Sequence, residues 1–148
     1  VNLIFSEIEP GQIDGLWHVL SPAVDEFRQR FGEHMEWTGK DLKSALKSDA
    51  GRTIFVYDGK DRIGFIVVRR FTEEFTKAKY LHLWVGHLFR KYRGRIREFL
   101  PEVFVYLKKM AHNDGAKYIE MDSPRMGWER IMQRYGMVPK RMVYRQEV

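Results

Sequence analysis

The apolar positions of this chain change period twice, and the changes divide it into elements. Leu3, Ile4, Phe5 and Ile8 form a short apolar run closed by Pro10-Gly11, which predicts an opening strand from Leu3 to Ile8. Ile13, Leu16, Trp17 and Leu20 then recur at helical spacing. Ser21-Pro22 has the form of a cap with proline at the first helical position, so the pattern predicts a helix restarting there through Val24 and Phe27. A loop from Gly32 to Gly39 carries His34, Met35 and Trp37. Thr38 or Asp41 is suited to cap a third, short helix in which Leu42, Ala45 and Leu46 share a face.

After Ala50-Gly51 the helical period gives way to alternation. Thr53 to Tyr57 reads as a strand, Asp58-Gly59 as a hairpin turn, and Ile63 to Phe71 as the returning strand. A polar turn from Thr72 to Lys79 leads into a further strand, Tyr80 to Phe89, with Gly86 as the expected bulge. If that strand is regular, Trp84 shares a face with His82.

The helical period returns after a basic turn. Leu100, Val103, Phe104, Leu107, Met110 and Ala111 fall at i, i+3, i+4, i+7, i+10 and i+11, one face of a helix. Pro101 belongs in the first turn of that helix, because inside it a proline costs about 3 kcal/mol. Asn113-Asp114-Gly115 ends the helix, and Tyr118 to Met121 is another strand. Ser123-Pro124 caps a short helix with Trp128, Ile131, Met132 and Tyr135 on one face, stopped by Gly136. Met142 to Gln146 is read as a final strand. These elements make a mixed α/β (α+β) fold in a single domain over residues 1–148, a length that can bury a real core.

Composition narrows the function classes. A hydrophobic fraction of 44% and an aromatic fraction of 14% suit a globular protein and exclude a disordered tail. The chain has no apolar run near the ~18 residues that span a bilayer and no signal-peptide pattern at its start, so no membrane association is expected. The absence of cysteine excludes disulfides, a cysteine zinc site and thiol catalysis. It fits a reducing compartment, and the expected location is the cytoplasm. His18, His34 and His112 lack ligand-like spacing, so no metal is expected. The net charge of +6 favours an anionic partner.

The basic turn carries the clearest chemistry. Arg90, Lys91, Arg93, Arg95 and Arg97 lie within eight residues, around Gly94. A strand, a turn with free backbone donors and a helix beginning at the turn together form an anion site. The same cluster also reads as a solvated charged turn. Phe89, Tyr92 and Phe99 interleave with it as in single-strand nucleic-acid binders, but no nucleic-acid motif surrounds them, so that partner is not favoured.

This order of elements resembles the Gcn5-related N-acetyltransferase (GNAT) superfamily over most of the chain. Tyr92-Arg93-Gly94 looks like the family's Tyr-Arg-Gly, and Tyr135-Gly136-Met137 like its Leu-Gly-Phe after the last helix. The resemblance implies a mixed, mostly antiparallel central sheet of about six to seven strands flanked by about four helices. It implies acetyl-CoA (coenzyme A) as cofactor, an amine-bearing small molecule or protein as acceptor, and acetyl transfer as the reaction. The cofactor would lie against Leu88, Phe89, Arg90, Arg93, Gly94, Arg95, Ile96 and Arg97. The family's loop reads Arg or Gln, two residues, Gly, one residue, Gly or Ala. Starting at Arg93 puts Ile96 and Glu98 at the small-residue places, and starting at Arg95 puts Glu98 and Leu100 there.

Many members of the family place a tyrosine acid where this chain has Met132, which cannot donate a proton. A general base is expected on the strand before the loop or on a neighbouring one. His82 and His87, with Glu73 and Glu74 nearby, are the candidates. His82 alternates with Leu81 and Leu83, which also suits a solvent-face or hydrogen-bonded core histidine. Trp37 is read as close to an acceptor groove. The same scaffold without catalysis is the second reading, since small bacteriophage proteins with acetyltransferase-like folds, internal virion proteins among them, look similar in length and in their basic, glycine-poor loop.

Overall fold

The alternating stretch after Gly51 builds the centre of the sheet. In the computed structural model, which describes residues 1–31, 36–122, 129–140 and 144–147, five strands lie in chain order. These are β1 (Leu3–Ile8), β2 (Arg52–Asp58), β3 (Asp61–Thr72), β4 (Lys79–Leu88) and β5 (Tyr118–Met121). The first four pair antiparallel, and β5 pairs parallel to β4. The turn at Asp58-Gly59 forms as predicted, with Gly59 at φ +61°, the left-handed region that glycine adopts without steric cost. The helices are α1 (Ile13–Phe31), α2 (Gly39–Lys47), α3 (Ile96–Asn113) and α4 (Glu129–Gln133). The α3 crossover satisfies the need of a parallel pair for a long connection.

Both faces of the sheet are covered, which explains why β2 and β3 read as nearly continuous apolar runs. One face packs Ile54, Val56, Ile66, Val68 and Leu81 against Phe99, Leu107, Met110 and Ala111 of α3. The other packs Phe55, Phe65, Val67 and Val85 against Leu20, Ala23 and Val24 of α1 and Leu42 and Leu46 of α2. Thr38 caps α2: its hydroxyl accepts from the Asp41 N–H at 3.2 Å, and Asp41 Oδ2 accepts from the Thr38 N–H at 2.6 Å. The two residues proposed as alternative caps act together as a capping box.

Several expectations are corrected. The sheet has five strands among the described residues, fewer than six to seven, and 144–147 form no strand; 141–143 lie outside the described residues. Ser21-Pro22 does not restart a helix, because α1 is continuous and Pro22 lies inside it. The missing proline donor would have served the carbonyl of His18, an exposed residue, where water can replace it. Burial of Leu20, Ala23 and Val24 holds the helix together across that gap. Pro101 likewise sits inside α3, which starts earlier than expected, at Ile96. The bulge in β4 is not at Gly86: Val67 pairs Val85 and Val68 pairs Leu83, which leaves Trp84 as the extra residue. The caps proposed at Ser123-Pro124, and Trp128, His34 and Met35, lie outside the described residues.

Gly64 lies close against the backbone of β4. A Cβ built there would lie 2.2 Å from the carbonyl oxygen of His87, so any side chain must push β3 and β4 apart. Gly64→Ala is therefore expected to destabilise the fold by about 1–3 kcal/mol in denaturant unfolding. Gly94→Ala, with nothing within 4 Å of its Cβ, should stay within about 0.5 kcal/mol.

Candidate functional site

A strand pair that separates partway along its length leaves an opening in the sheet. β4 and β5 pair only over residues 80–83 and 118–121. The extra residue Trp84 follows at once, and from there the β5-facing edge of β4 has no strand partner among the described residues. A cleft of about 430 Å³ occupies the gap and reaches both layers of the fold. On the α3 side it is walled by Leu83, Phe99, Val103, Leu107 and Met132, and on the α1 side by Phe27, Arg30, Trp84 and His87. Asp122, at the end of β5, lies at its margin.

The two histidines separate here. His87 lines the cleft and its side chain is only 5% exposed. It packs among Phe65 and Phe89, with ring centroids at 5.6 and 5.9 Å. Its Nε2 is buried without a hydrogen-bond partner among the described residues. His82 does not line the cleft. It is buried on the α1 face near the paired end, with Nε2 3.4 Å from Asp122 Oδ2 and Nδ1 3.5 Å from Arg69 Nη2. It is thus a partnered core histidine, one of the two structural readings of its alternation. Burial pushes both imidazoles below their ordinary value, more than Asp122 and Glu26 pull them back. Glu73 accepts N–H bonds from Phe75 and Thr76 in the turn before β4, and neither it nor Glu74 lines the cleft.

The basic turn is a 3-10 helix, Arg90–Arg95, that runs directly into α3. Its backbone donors are partly engaged internally: the Tyr92 N–H donates to the Phe89 carbonyl at 2.8 Å and the Ile96 N–H to that of Arg93. Arg95 is held by Glu98 at 2.9 Å and by Asp58 at 3.4 Å, with its guanidinium over Phe99. Arg93 lines the cleft and donates to Glu26 of α1 and to the Leu88 carbonyl at 3.4 Å. Leu88 and Ile96 line the cleft too, while Phe89 packs behind His87. Arg90, Gly94 and Arg97 are exposed, and Lys91 lies over the Tyr92 ring. Gly94 has no positive φ and no close neighbour.

Glu26 is the site residue that sequence reasoning missed. Its carboxylate takes Arg93 on one oxygen and stands 3.9 Å from His87 Nε2 with the other. The guanidinium beside it holds the carboxyl below the usual carboxylate range. The only signal in the sequence was an acid set between Val24 and Phe27 on the helix. Trp37 meets Trp84 edge-on at 5.5 Å and stacks with Phe27 at 6.5 Å, and both of those residues line the cleft. The structure also gathers His82, Glu120 and Asp122 within 4.8 Å, a set the spacing argument did not consider. The Arg69 guanidinium next to His82 opposes a cation there.

The architecture has known counterparts. An aminoglycoside acetyltransferase from an uncultured soil metagenomic sample superposes with a TM-score of 0.69 at 12% identity, over 100% of this chain and 99% of that one. A ribosomal-protein-alanine N-acetyltransferase of Brucella melitensis biovar Abortus 2308 gives 0.69 at 14% identity, over 99% and 100%. A possible acetyltransferase of Clostridium difficile 630 gives 0.71 at 12% identity, over 99% and 97%. The fold is that of the Gcn5-related N-acetyltransferases. No protein-family model and no curated protein matches the sequence. Among the described residues no helix is long and apolar enough to cross a membrane.

The depressed histidines set a pH window. Below about pH 6.5 the unfolded chain takes up protons that buried His82 and His87 resist, so stability falls as pH drops from there. Glu26, whose folded value is lowered, adds its loss only further down, in the carboxylate range. The thermal midpoint should decline between about pH 7 and 5, and His87→Gln should flatten part of that decline. A midpoint independent of pH across this window would contradict the assignment.

Proposed function

We propose that the chain transfers an acetyl group from acetyl-CoA to an amine. The observation that carries this reading is the apolar cleft where β4 and β5 part, with His87 in its wall and the His87 Nε2 without a hydrogen-bond partner among the described residues. The fit for the thioester arm is chemical, since Leu83, Leu88, Phe99 and Met121 give the cleft an apolar lining. For the phosphates the fit rests on side chains. No glycine cradle exists, and Arg93 with the exposed Arg90, Lys91 and Arg97 would supply the positive charge.

When bound, acetyl-CoA supplies an activated carbonyl joined to a good leaving group. The free edge of β4 beyond residue 83 can offer backbone N–H groups to that carbonyl as negative charge develops on its oxygen. Held neutral by burial, His87 accepts a proton from the acceptor ammonium and frees the nitrogen lone pair for attack. The new C–N bond forms as the C–S bond breaks. The thiolate takes up the second proton lost by the nitrogen, through solvent, since Met132 has none to give. Closing walls and orientation supply much of the rate.

The acceptor carries an amine, as the names of the aminoglycoside and ribosomal-protein-alanine acetyltransferases support. It would approach past Phe27, Trp84 and Asp122, and the reaction belongs in the cytoplasm, where acetyl-CoA is made available. Acetyl-CoA at about 100 times its Kd should stabilise the fold by about 2.7 kcal/mol, read as a rise in the melting temperature. No shift at millimolar acetyl-CoA would sink the reading and leave a scaffold without catalysis. His87→Ala should keep that shift while lowering kcat by about 100-fold or more.

A further inference from the structure

We propose that Glu26 is the positioning residue of the His87 base and that Arg93 is its latch, opened by the phosphate of the bound donor. The inference rests on the acetyl-CoA reading and adds a coupling between its two halves.

His87 Nε2 is buried with no hydrogen-bond partner among the described residues, an arrangement that calls for a partner in another state. Glu26 Oε2 stands 3.9 Å away, just beyond hydrogen-bonding reach. The carboxylate is held off because its other oxygen, Oε1, is gripped by Arg93 Nη2. Arg93 belongs to the basic turn at the donor end of the cleft, and it also lines that cleft. One guanidinium therefore stands between a protein carboxylate and the place where a phosphate would bind.

A phosphate is the better partner for it. It carries more charge and offers bidentate oxygens to a guanidinium. Once Arg93 turns to the donor, Glu26 loses its cation. A movement of about 1 Å then brings Oε2 into normal hydrogen-bond range of the His87 Nε2–H. That bond fixes the tautomer with Nδ1 as the proton acceptor and favours the protonated ring. The groups facing His87 are Glu26 and Arg30 from α1 and Arg93 from the turn, with apolar Phe65 and Phe89 completing its surroundings. Arg30 and Arg93 oppose protonation and Glu26 favours it. Pairing Arg93 with a phosphate removes one opposing charge and frees the favourable one. The base thus gains strength only after the thioester is in place.

The test follows the His87 ring by ¹⁵N NMR across a pH titration, with coenzyme A binding measured in parallel by calorimetry. Saturating coenzyme A should raise the His87 pKa and shift the neutral ring to the Nε2-protonated tautomer. Glu26→Gln, which keeps the size and cannot carry charge, should remove the tautomer shift and reduce the pKa rise, with coenzyme A affinity unchanged or tighter. Its kcat should fall about tenfold without a rise in the KM for acetyl-CoA. Arg93→Ala should raise the His87 pKa in the free protein and weaken coenzyme A about tenfold. If coenzyme A binds and His87 does not respond, or responds equally in Glu26→Gln, the latch is wrong and the donor reading stands. If coenzyme A does not bind at all, the donor reading fails together with its role as opener. The free-protein His87 pKa of Glu26→Gln, expected below that of the parent chain, then still decides whether Glu26 and His87 are coupled.

Discussion

One extra residue in β4 governs this molecule. Parallel pairing with β5 lasts for 80–83 and stops where Trp84 has no counterpart in β3. A bulge adds local twist and bends its strand, so β4 and its neighbour β5, the edge strand among the described residues, part over a well-packed core. The strand residues of the candidate site take their positions from that parting. Leu83 is the last paired residue and the first wall of the cleft, and Leu88 ends β4 above the basic turn. The bulge also changes which residues face which layer. His82, Trp84, Val85 and His87 lie on the α1 side, whereas Leu81, Leu83 and Leu88 pack on the α3 side.

An opening in a sheet carries a cost elsewhere, and the structure shows where it falls. A polar side chain is buried on each side of the bulge, and the two solve desolvation differently. His82 sits between Asp122 and Arg69; His87 has aromatic neighbours and an unmet nitrogen. Buried polar groups without partners are rare in folded proteins and concentrate where chemistry is done. Of the two histidines, His87 is the one that lines the cleft and has a buried nitrogen without a hydrogen-bond partner among the described residues. Gly64 belongs to the same solution, because only a residue without a side chain lets the His87 carbonyl approach β3 so closely.

Much of the fold was legible because local signals agreed with tertiary ones. The hairpin at Asp58-Gly59, the apolar face of α3 and the capping box at Thr38 and Asp41 each rest on contacts within a few residues. The prolines misled because a local rule met a stronger long-range term. Pro22 and Pro101 each leave one carbonyl without its helical donor, but their helices bury whole faces against the sheet and continue through. The bulge was placed at Gly86 on the strength of glycine's freedom. The register depends instead on how Val67 and Val68 align with β4, which is a property of the pair of strands and not of either sequence. The site was half legible for the same reason. His87 was visible as a titratable residue on the right strand, but Glu26 is separated from Arg93 by 67 residues, and no spacing rule joins them.

The basic turn shows how little a charge count says by itself. Five cations in eight residues suggested an open phosphate grip, yet two of the arginines are already paired. Arg95 is neutralised by Glu98 and Asp58 on the outer surface, in exposed pairs that contribute little to stability and are screened by salt. Arg93 is different, because its acid partner also stands beside a buried imidazole. A surface pair can dissolve without consequence, whereas this pair cannot open without changing the field at His87. The same net charge therefore contains two kinds of arginine. One gives the surface its sign, and the other connects the donor end of the cleft to the group that would move the proton.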